Sequence, residues 1–168
     1  MARQRLFRRL GEACTRSDVW PGGPHLHERT LIVAHAAGFE HDEDDEVVEA
    51  GFAEGADGSG FALMFQRTDY EPDEQDISLD MDTYCLTTGD GRTHYGGLLG
   101  AELDGGQLTL RLAPGAAEAI GLSEVTTVRL HVDAASLAAL RNGLPQVVNW
   151  GRCEEIPTLQ GFEFPAAG

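Results

Sequence analysis

The chain has 168 residues, with 28 Asp or Glu, 12 Arg and no Lys, which gives a formal net charge of −16 at pH 7. Nucleic-acid binding needs a basic patch that meets the phosphates, so this balance argues strongly against nucleic acid as a partner. A field of this sign favours encounter with a cationic protein, although acidity for solubility alone is the alternative. No stretch approaches the roughly 18 apolar residues of a membrane span, so we expect no membrane association.

The three cysteines, Cys14, Cys85 and Cys153, fit neither a disulfide framework nor a paired zinc site. Reduced thiols in the cytoplasm are the simplest interpretation. The N-terminus lacks the uninterrupted apolar core of a secretory signal, which also predicts a cytoplasmic protein.

Residues 1–29 differ in composition from the rest of the chain, because six of the twelve arginines lie there. Apolar residues at helix-compatible spacing precede a Pro/Gly-rich break at 20–24. We therefore predict an N-terminal extension. It is a basic helix that folds back on the acidic body, an arm that faces a partner, or a segment that does not belong to the native protein.

From residue 30 the sequence alternates in the two-residue rhythm of β-strands. Asp90-Gly91 and Asp104-Gly105-Gly106 are turn sequences that predict hairpins. The segment 60–67 is apolar on both faces, which indicates a central strand. The predicted strands cover 30–36, 46–54, 60–67, 81–88, 92–99, 107–112 (with Leu108, Leu110 and Leu112 inward) and 125–132.

Two helices are predicted in the second half of the chain. The first covers 114–120, with proline in its first turn and Gly121 as its stop signal. Asp133 can cap the second, which we expect to end at Asn142-Gly143, before Pro145. Leu137, Ala138, Leu140 and Leu144 form its predicted buried stripe.

These elements predict an α+β fold, an antiparallel β-sheet with a few short helices packed on one face. We assign the body of the domain to residues 30–150. Residues 151–168 form a C-terminal tail that is either an irregular strap or loosely held.

The segment from Asp69 to Cys85, DYEPDEQDISLDMDTYC, contains seven carboxylates, two tyrosines and no cation. Nine more acids lie between Glu40 and Asp57, so Arg67 alone offsets sixteen negative charges. Tight protein interfaces combine aromatic anchors with charges aimed at the partner's cations. We predict a partner-binding surface here, the alternative being half-buried tyrosines beside a solvated loop. The candidate contact residues are Tyr70, Glu71, Asp73, Glu74, Asp76, Asp82 and Tyr84.

Neither acidic stretch fits a calcium-binding EF-hand loop, which has glycine at its sixth position. The sixth residue is Val47 when counting starts at Asp42, and Glu74 when it starts at Asp69. The H-x-H pattern at 25–27 lacks a clear third ligand, and we interpret it as part of a loop. We predict neither a metal nor another cofactor.

A Cys-His pair is the one candidate for catalysis. Cys85 and His94 share a sheet face if the hairpin loop is Asp90-Gly91 alone. A three-residue loop that includes Gly89 places them on opposite faces. No orienting acid or oxyanion donor is evident, so we predict no catalytic residues.

Several of these segments resemble the immunity protein 10 family, the cytosolic antidotes of bacterial polymorphic toxin systems. They are FALMFQR leading into DEQDISLDMDTYC, the HYGG hairpin, and LDGGQLTLRLAPGAAEAIGL, within roughly 30–143. Glycine is usual in the family where Asp80 stands, so this chain departs from the family pattern at that turn. The DEQD and MDTYC residues either touch the partner or shape the fold.

The resemblance implies a non-enzymatic role, in which the protein binds a cognate toxin and blocks its activity. With the acidic surface, it predicts a basic toxin of the nuclease type, because nucleases must be cationic to bind nucleic acid. The alternatives are a small Cys/His or metal-dependent enzyme and an acidic regulatory module that binds another protein.

Overall fold

The computed structural model describes residues 29–162. The N-terminal extension up to residue 28, with its H-x-H pattern, and the end of the tail at 163–168 lie outside the described residues. The strands are β1 Arg29–Ala34, β2 Ala36–Asp42, β3 Val47–Ala53, β4 Ala62–Thr68, β5 Cys85–Thr88, β6 Thr93–Tyr95, β7 Leu98–Asp104, β8 Gln107–Leu112, β9 Leu122–Leu130 and β10 Thr158–Gln160. The helices are α1 Glu74–Ser78, α2 Pro114–Ile120 and α3 Ala134–Val148, with a 3₁₀ turn at Cys153–Glu155.

The α+β class is confirmed, with the strands divided between two five-stranded sheets. The first sheet has the order β1-β9-β8-β7-β10, in which β1 is parallel to β9 and β10 is parallel to β7. The second has the order β2-β3-β4-β5-β6 and is antiparallel throughout. Strand β4, from the segment predicted to be central, is the middle strand of the second sheet.

The chain changes sheet at His35, which separates β1 from β2. The backbone N–H of His35 donates to the carbonyls of Ala53 and Glu54, at 3.0 and 3.1 Å. The single strand predicted over 30–36 is therefore wrong at its end, since β1 stops at Ala34 and Ala36 already belongs to a strand of the other sheet. Part of the first acidic stretch, Glu40 to Asp42, lies in β2 rather than in a loop.

One apolar cluster joins the two sheets. Leu108, Leu110 and Leu112 of β8 point into it, as predicted, and Phe65 and Leu86 enter from the second sheet. Burying a side chain of this size contributes about 1.5–3 kcal/mol, so this cluster is the main source of stability.

Helix α3 begins where it was predicted to begin, because the Asp133 carboxylate accepts a hydrogen bond from Ser136 N at 2.7 Å. Its predicted end at Asn142-Gly143 is wrong, since the helix continues to Val148. A Cβ at Gly143 would come within 2.4 Å of the Phe39 side chain. The glycine therefore allows the helix to approach β2 closely, instead of ending the helix.

The tail is attached to the body as far as residue 162. Strand β10 extends the first sheet, and Phe162 is buried in the core. The buried hydroxyl of Tyr84 donates to the Glu155 carbonyl at 2.7 Å and accepts from Leu98 N at 3.1 Å. The Glu155 carboxylate in turn accepts from Gly97 N at 2.8 Å. The described part of the tail is a strap.

Replacement of Tyr84 with phenylalanine tests this attachment. The variant leaves the carbonyl of Glu155 and the N–H of Leu98 without their partner, so we expect the free energy of unfolding to fall by about 1–3 kcal/mol. Urea unfolding measures the change. Tyr70→Phe is the matched control, since Tyr70 is exposed, and should change stability by less than about 0.5 kcal/mol. Equal stability of the two variants would contradict the role assigned to the hydroxyl.

Candidate functional site

The acidic segment, defined here as residues 69–82, connects β4 to β5 at one end of the second sheet. It is fixed at its start, where Asp69 N donates to the Glu46 carbonyl at 2.8 Å and the Asp69 carboxylate lies 2.8 Å from His41 Nε2. Most of its side chains are exposed, and helix α1 buries none of its own residues. The segment is therefore a surface feature whose fixed end lies on the sheet.

The DEQD motif begins helix α1 with a capping box. The Asp73 carboxylate accepts from Asp76 N at 2.9 Å, and the Asp76 carboxylate accepts from Asp73 N at 3.1 Å. Such reciprocal bonds satisfy two N–H groups that a helix start leaves without partners, and a cap contributes about 1 kcal/mol. Asp73 and Asp76, predicted as contact residues, thus fix the shape of the segment.

The MDTYC motif attaches the acidic segment to the strap. Asp82 accepts from Arg152 N through its carbonyl at 3.1 Å, and its carboxylate lies 3.2 Å from Arg152 Nε. Thr83 forms a β-bridge with Gly151, where a Cβ would come within 2.2 Å of the Asp82 carbonyl. The Asp82 side chain is only 14% exposed. Its charge is balanced within the protein.

Tyr84 is 0% exposed, and the expectation that it supplies contact area for a partner was wrong. Burial is the main cause that raises the pKa of its hydroxyl, while a hydrogen bond with Leu98 lowers it. Its ring fills space in the core, and its hydroxyl donates a hydrogen bond to the Glu155 carbonyl of the strap. The residues after Asp82 alternate between inward and outward directions, and Tyr84 points inward. The direction of each residue depends on where this alternation begins, which the sequence alone does not give.

Three exposed apolar side chains accompany the carboxylates and were missed in the sequence. Ile77 and Leu79 are 54% and 58% exposed, and Met81 is exposed nearby. Tyr70, a predicted contact residue, is 45% exposed, and Glu71 and Glu74 are also at the surface. The signal was present as an Ile-x-Leu-x-Met alternation. Exposed apolar groups rimmed by charges are typical of protein-binding surfaces.

A pocket of about 480 Å³ opens between the acidic segment and the start of the strap. Its lining includes Glu71, Ile77 and Asp82 from the segment. Trp150 and Ile156 line it from the other side. The pocket therefore combines apolar walls with carboxylates.

Arg67, the one arginine between Glu40 and Asp82, stabilises the fold. Its Nε donates to the carbonyl of Gln146 at 2.7 Å, and its guanidinium lies 5.7 Å from the centre of the Trp150 ring. Burial lowers its pKa, with Asp69 opposing that shift. The sequence suggests that Arg67 offsets the charge of the acidic segment. Its contacts instead hold β4 to the end of α3.

The first acidic stretch is organised differently. Glu40 and Glu49 face each other across β2 and β3, and Gln66 donates to the Glu49 carboxylate at 2.7 Å. Burial raises the pKa of Glu49, the bond from Gln66 lowers it, and the charges of Glu40 and Asp42 raise it further. Glu40, Asp42 and Glu49 belong to a sheet face, whereas residues 43–46 form the exposed turn between β2 and β3. The segment 69–82 is the better candidate for a binding site because it combines exposed carboxylates with exposed apolar side chains.

The register of β5 and β6 excludes the Cys-His pair. Cys85 lies opposite Tyr95, and Leu86 lies opposite His94. Thr88 N donates to the Arg92 carbonyl at 2.9 Å across a loop of residues 89–91, so the hairpin has the longer of the two loops considered. Cys85 and His94 therefore point to opposite faces.

Within 29–162, no group of three or more His, Cys, Asp or Glu side chains is arranged to hold a metal ion. The helices in the same range are all too short or too polar to cross a bilayer.

Replacing Asp80 with glycine tests the turn that ends α1. Asp80 has a φ of 57°, a left-handed conformation that costs energy for any residue with a Cβ. We expect Asp80→Gly to raise the free energy of unfolding by about 0.5–1 kcal/mol in urea unfolding. Glu74→Gly, inside α1, should instead lower it by about 1 kcal/mol. Destabilisation by Asp80→Gly would show that the carboxylate matters more than the backbone conformation.

Replacing Glu49 with glutamine tests the buried carboxylate. A raised pKa means that the contribution of Glu49 to stability is complete below its unfolded pKa, about 4.3, and is lost as the pH rises through its folded pKa. We therefore expect Glu49→Gln to be more stable than the native chain at pH 7, and the difference to vanish near pH 4. Thermal unfolding across this range measures it, with Glu124→Gln as a control for the loss of one charge. A difference that does not change with pH would contradict the assignment.

No curated protein and no solved structure matches the chain. The family model described as immunity protein 10 matches residues 33–138, which include β2 to β9 and the whole acidic segment. Because this match spans more than half of the sequence, the chain belongs to the immunity protein 10 family.

Proposed function

We propose that this immunity protein is a non-enzymatic inhibitor, and that it covers a basic, nuclease-type domain of a cognate toxin with its acidic segment. The family assigns an immunity function, which requires a toxin as partner. The net charge of −16 makes a basic domain the complementary partner. Nuclease domains are cationic because they bind phosphates. We also propose that the protein acts in the cytoplasm.

The exposure of unpaired carboxylates on the acidic segment is the observation that carries this proposal. Within the described part of the chain, neither Glu71 nor Glu74 takes part in an ion pair. Arg67 is directed away to Gln146 and Trp150. The charges of Glu71 and Glu74 are therefore offered to solvent.

The arrangement supports both fast association and tight binding. Opposite charges raise association rates by roughly 10 to 1000-fold at low salt. Exposed ion pairs add little affinity by themselves, but pairs that a partner buries reach coupling energies of about 1.5–7 kcal/mol. Ile77, Leu79 and Met81 supply the apolar area that removes water from such pairs.

Contact with a toxin need not involve chemistry in this protein. The Cys85 and His94 side chains, the pair considered for catalysis, are on opposite sheet faces. Binding alone blocks a toxin if it covers the active site or a neighbouring surface that the substrate must reach.

Co-expression tests the proposed function. A toxin domain encoded next to the gene should arrest growth when produced alone, and growth should recover when this protein is produced with it. Calorimetry on the purified pair should give a complex whose affinity falls as salt is raised. A complex that is indifferent to salt would contradict the electrostatic part of the proposal.

Charge reversal tests the surface. We expect Glu71→Lys/Glu74→Lys to weaken binding by about 100-fold or more, mainly because two attractions become repulsions. Asp73 and Asp76 are unsuitable, since reversing them also destroys the capping box. The matched control is Glu118→Lys/Glu124→Lys, which makes the same change in net charge at exposed positions of α2 and β9. Equal effects of the two double variants would contradict the placement of the surface.

A further inference from the structure

We infer that the pocket between the acidic segment and the strap receives one long cationic side chain, arginine or lysine, from the toxin. This inference rests on the proposed function and adds the position at which the partner is anchored. Buried side chains in pockets dominate the affinity of most protein interfaces, and arginine is frequent among them.

The walls of the pocket suit a side chain that is apolar along its stem and charged at its tip. Ile77 and Ile156 are both exposed large apolar residues that line the pocket, one from the acidic segment and one from the strap. Pro72 and Trp150 complete the apolar lining. Lysine and arginine bury their methylene groups against such surfaces while the charged group stays near a carboxylate. Glu71 supplies that carboxylate.

The charges already present leave the pocket receptive to a cation. Arg152 is the one cation in its lining, and Asp82 at 3.2 Å and Asp80 at 3.8 Å balance it. Glu71 forms no ion pair among the described residues. The carboxylates near the pocket therefore outnumber its arginine by three to one, so an incoming guanidinium or ammonium group is attracted.

The pocket is built before a partner arrives. Trp150 is fixed by the Arg67 guanidinium, which is itself held by the carbonyl of Gln146. Arg152 N is bonded to the Asp82 carbonyl, so the strap is fixed to the acidic segment at this point. A preformed pocket loses little side-chain freedom on binding, which favours affinity.

The two walls of the pocket differ in their relation to the family match. Its first wall lies within the matched range 33–138, and its second wall, formed by residues 149–156, lies beyond it. The pocket therefore combines one wall inside the family match with one wall beyond it.

Filling the pocket tests the inference with the toxin domain from the co-expression experiment. We expect Ile156→Trp to weaken binding at least tenfold by calorimetry, because the indole occupies the space of the incoming side chain. Val125→Trp is the matched control, since Val125 is also apolar and exposed but lies on β9. Ile77→Trp, on the opposite wall, is a second variant that makes the test independent of the folding of the first.

The outcomes separate this inference from the proposed function. If the native chain binds the toxin and both pocket variants bind as tightly as Val125→Trp, the pocket is not the anchor and the proposed function stands. If the native chain does not bind the toxin, the proposed function itself fails. Weak binding by both pocket variants with normal binding by Val125→Trp supports the inference.

A small probe tests the chemistry of the pocket without the toxin. Nα-acetyl-arginine amide and Nα-acetyl-lysine amide should shift the Trp150 indole resonance in NMR spectra of the full chain. The neutral Nα-acetyl-citrulline amide should not, and Ile156→Trp should abolish the effect. The larger of the two cationic shifts identifies the preferred side chain. Equal shifts from the cationic and neutral probes, or none from either cation, would overturn the inference.

Discussion

The Tyr84 hydroxyl joins three parts of the chain that are distant in sequence. It connects the end of the acidic segment to the start of β7 and to the strap, through Leu98 N and the Glu155 carbonyl. The neighbouring Asp82 adds an ion pair with Arg152. Because both walls of the pocket begin at these contacts, the candidate site keeps its shape only while this group of bonds is intact.

The electrostatics of the molecule follow from how its few cations are used. Arg67 holds β4 to the end of α3, and Arg152 holds the strap to Asp82. Both arginines stabilise the fold through these contacts. The carboxylates of Glu71 and Glu74 in the acidic segment therefore face water. Concentrated like charge is costly for a compact chain, and the capping box recovers part of that cost by placing two of the acids on backbone N–H groups.

Elements that depend on neighbouring residues could be predicted from the sequence. The alternation of β8, the Pro114 and Gly121 limits of α2, and the cap of α3 at Asp133 are of this kind. Features that depend on distant partners could not. The sequence leaves open whether the DEQD residues touch a partner or shape the fold, the burial of Tyr84 depends on Glu155 and Leu98, and Gly143 resembles a helix stop until Phe39 is seen beside it. The predicted contact set accordingly retains Tyr70, Glu71 and Glu74 as its exposed members without a role in the local fold.

Strand β2 forms one edge of the second sheet, and it carries Glu40 and Asp42. An edge strand exposes backbone groups that another chain can pair with, and charged side chains discourage such pairing. The opposite edge, β6, has only three residues, as has β10 at the edge of the first sheet. These three edges therefore resist pairing between copies, so the chain can accumulate without joining into fibres through them.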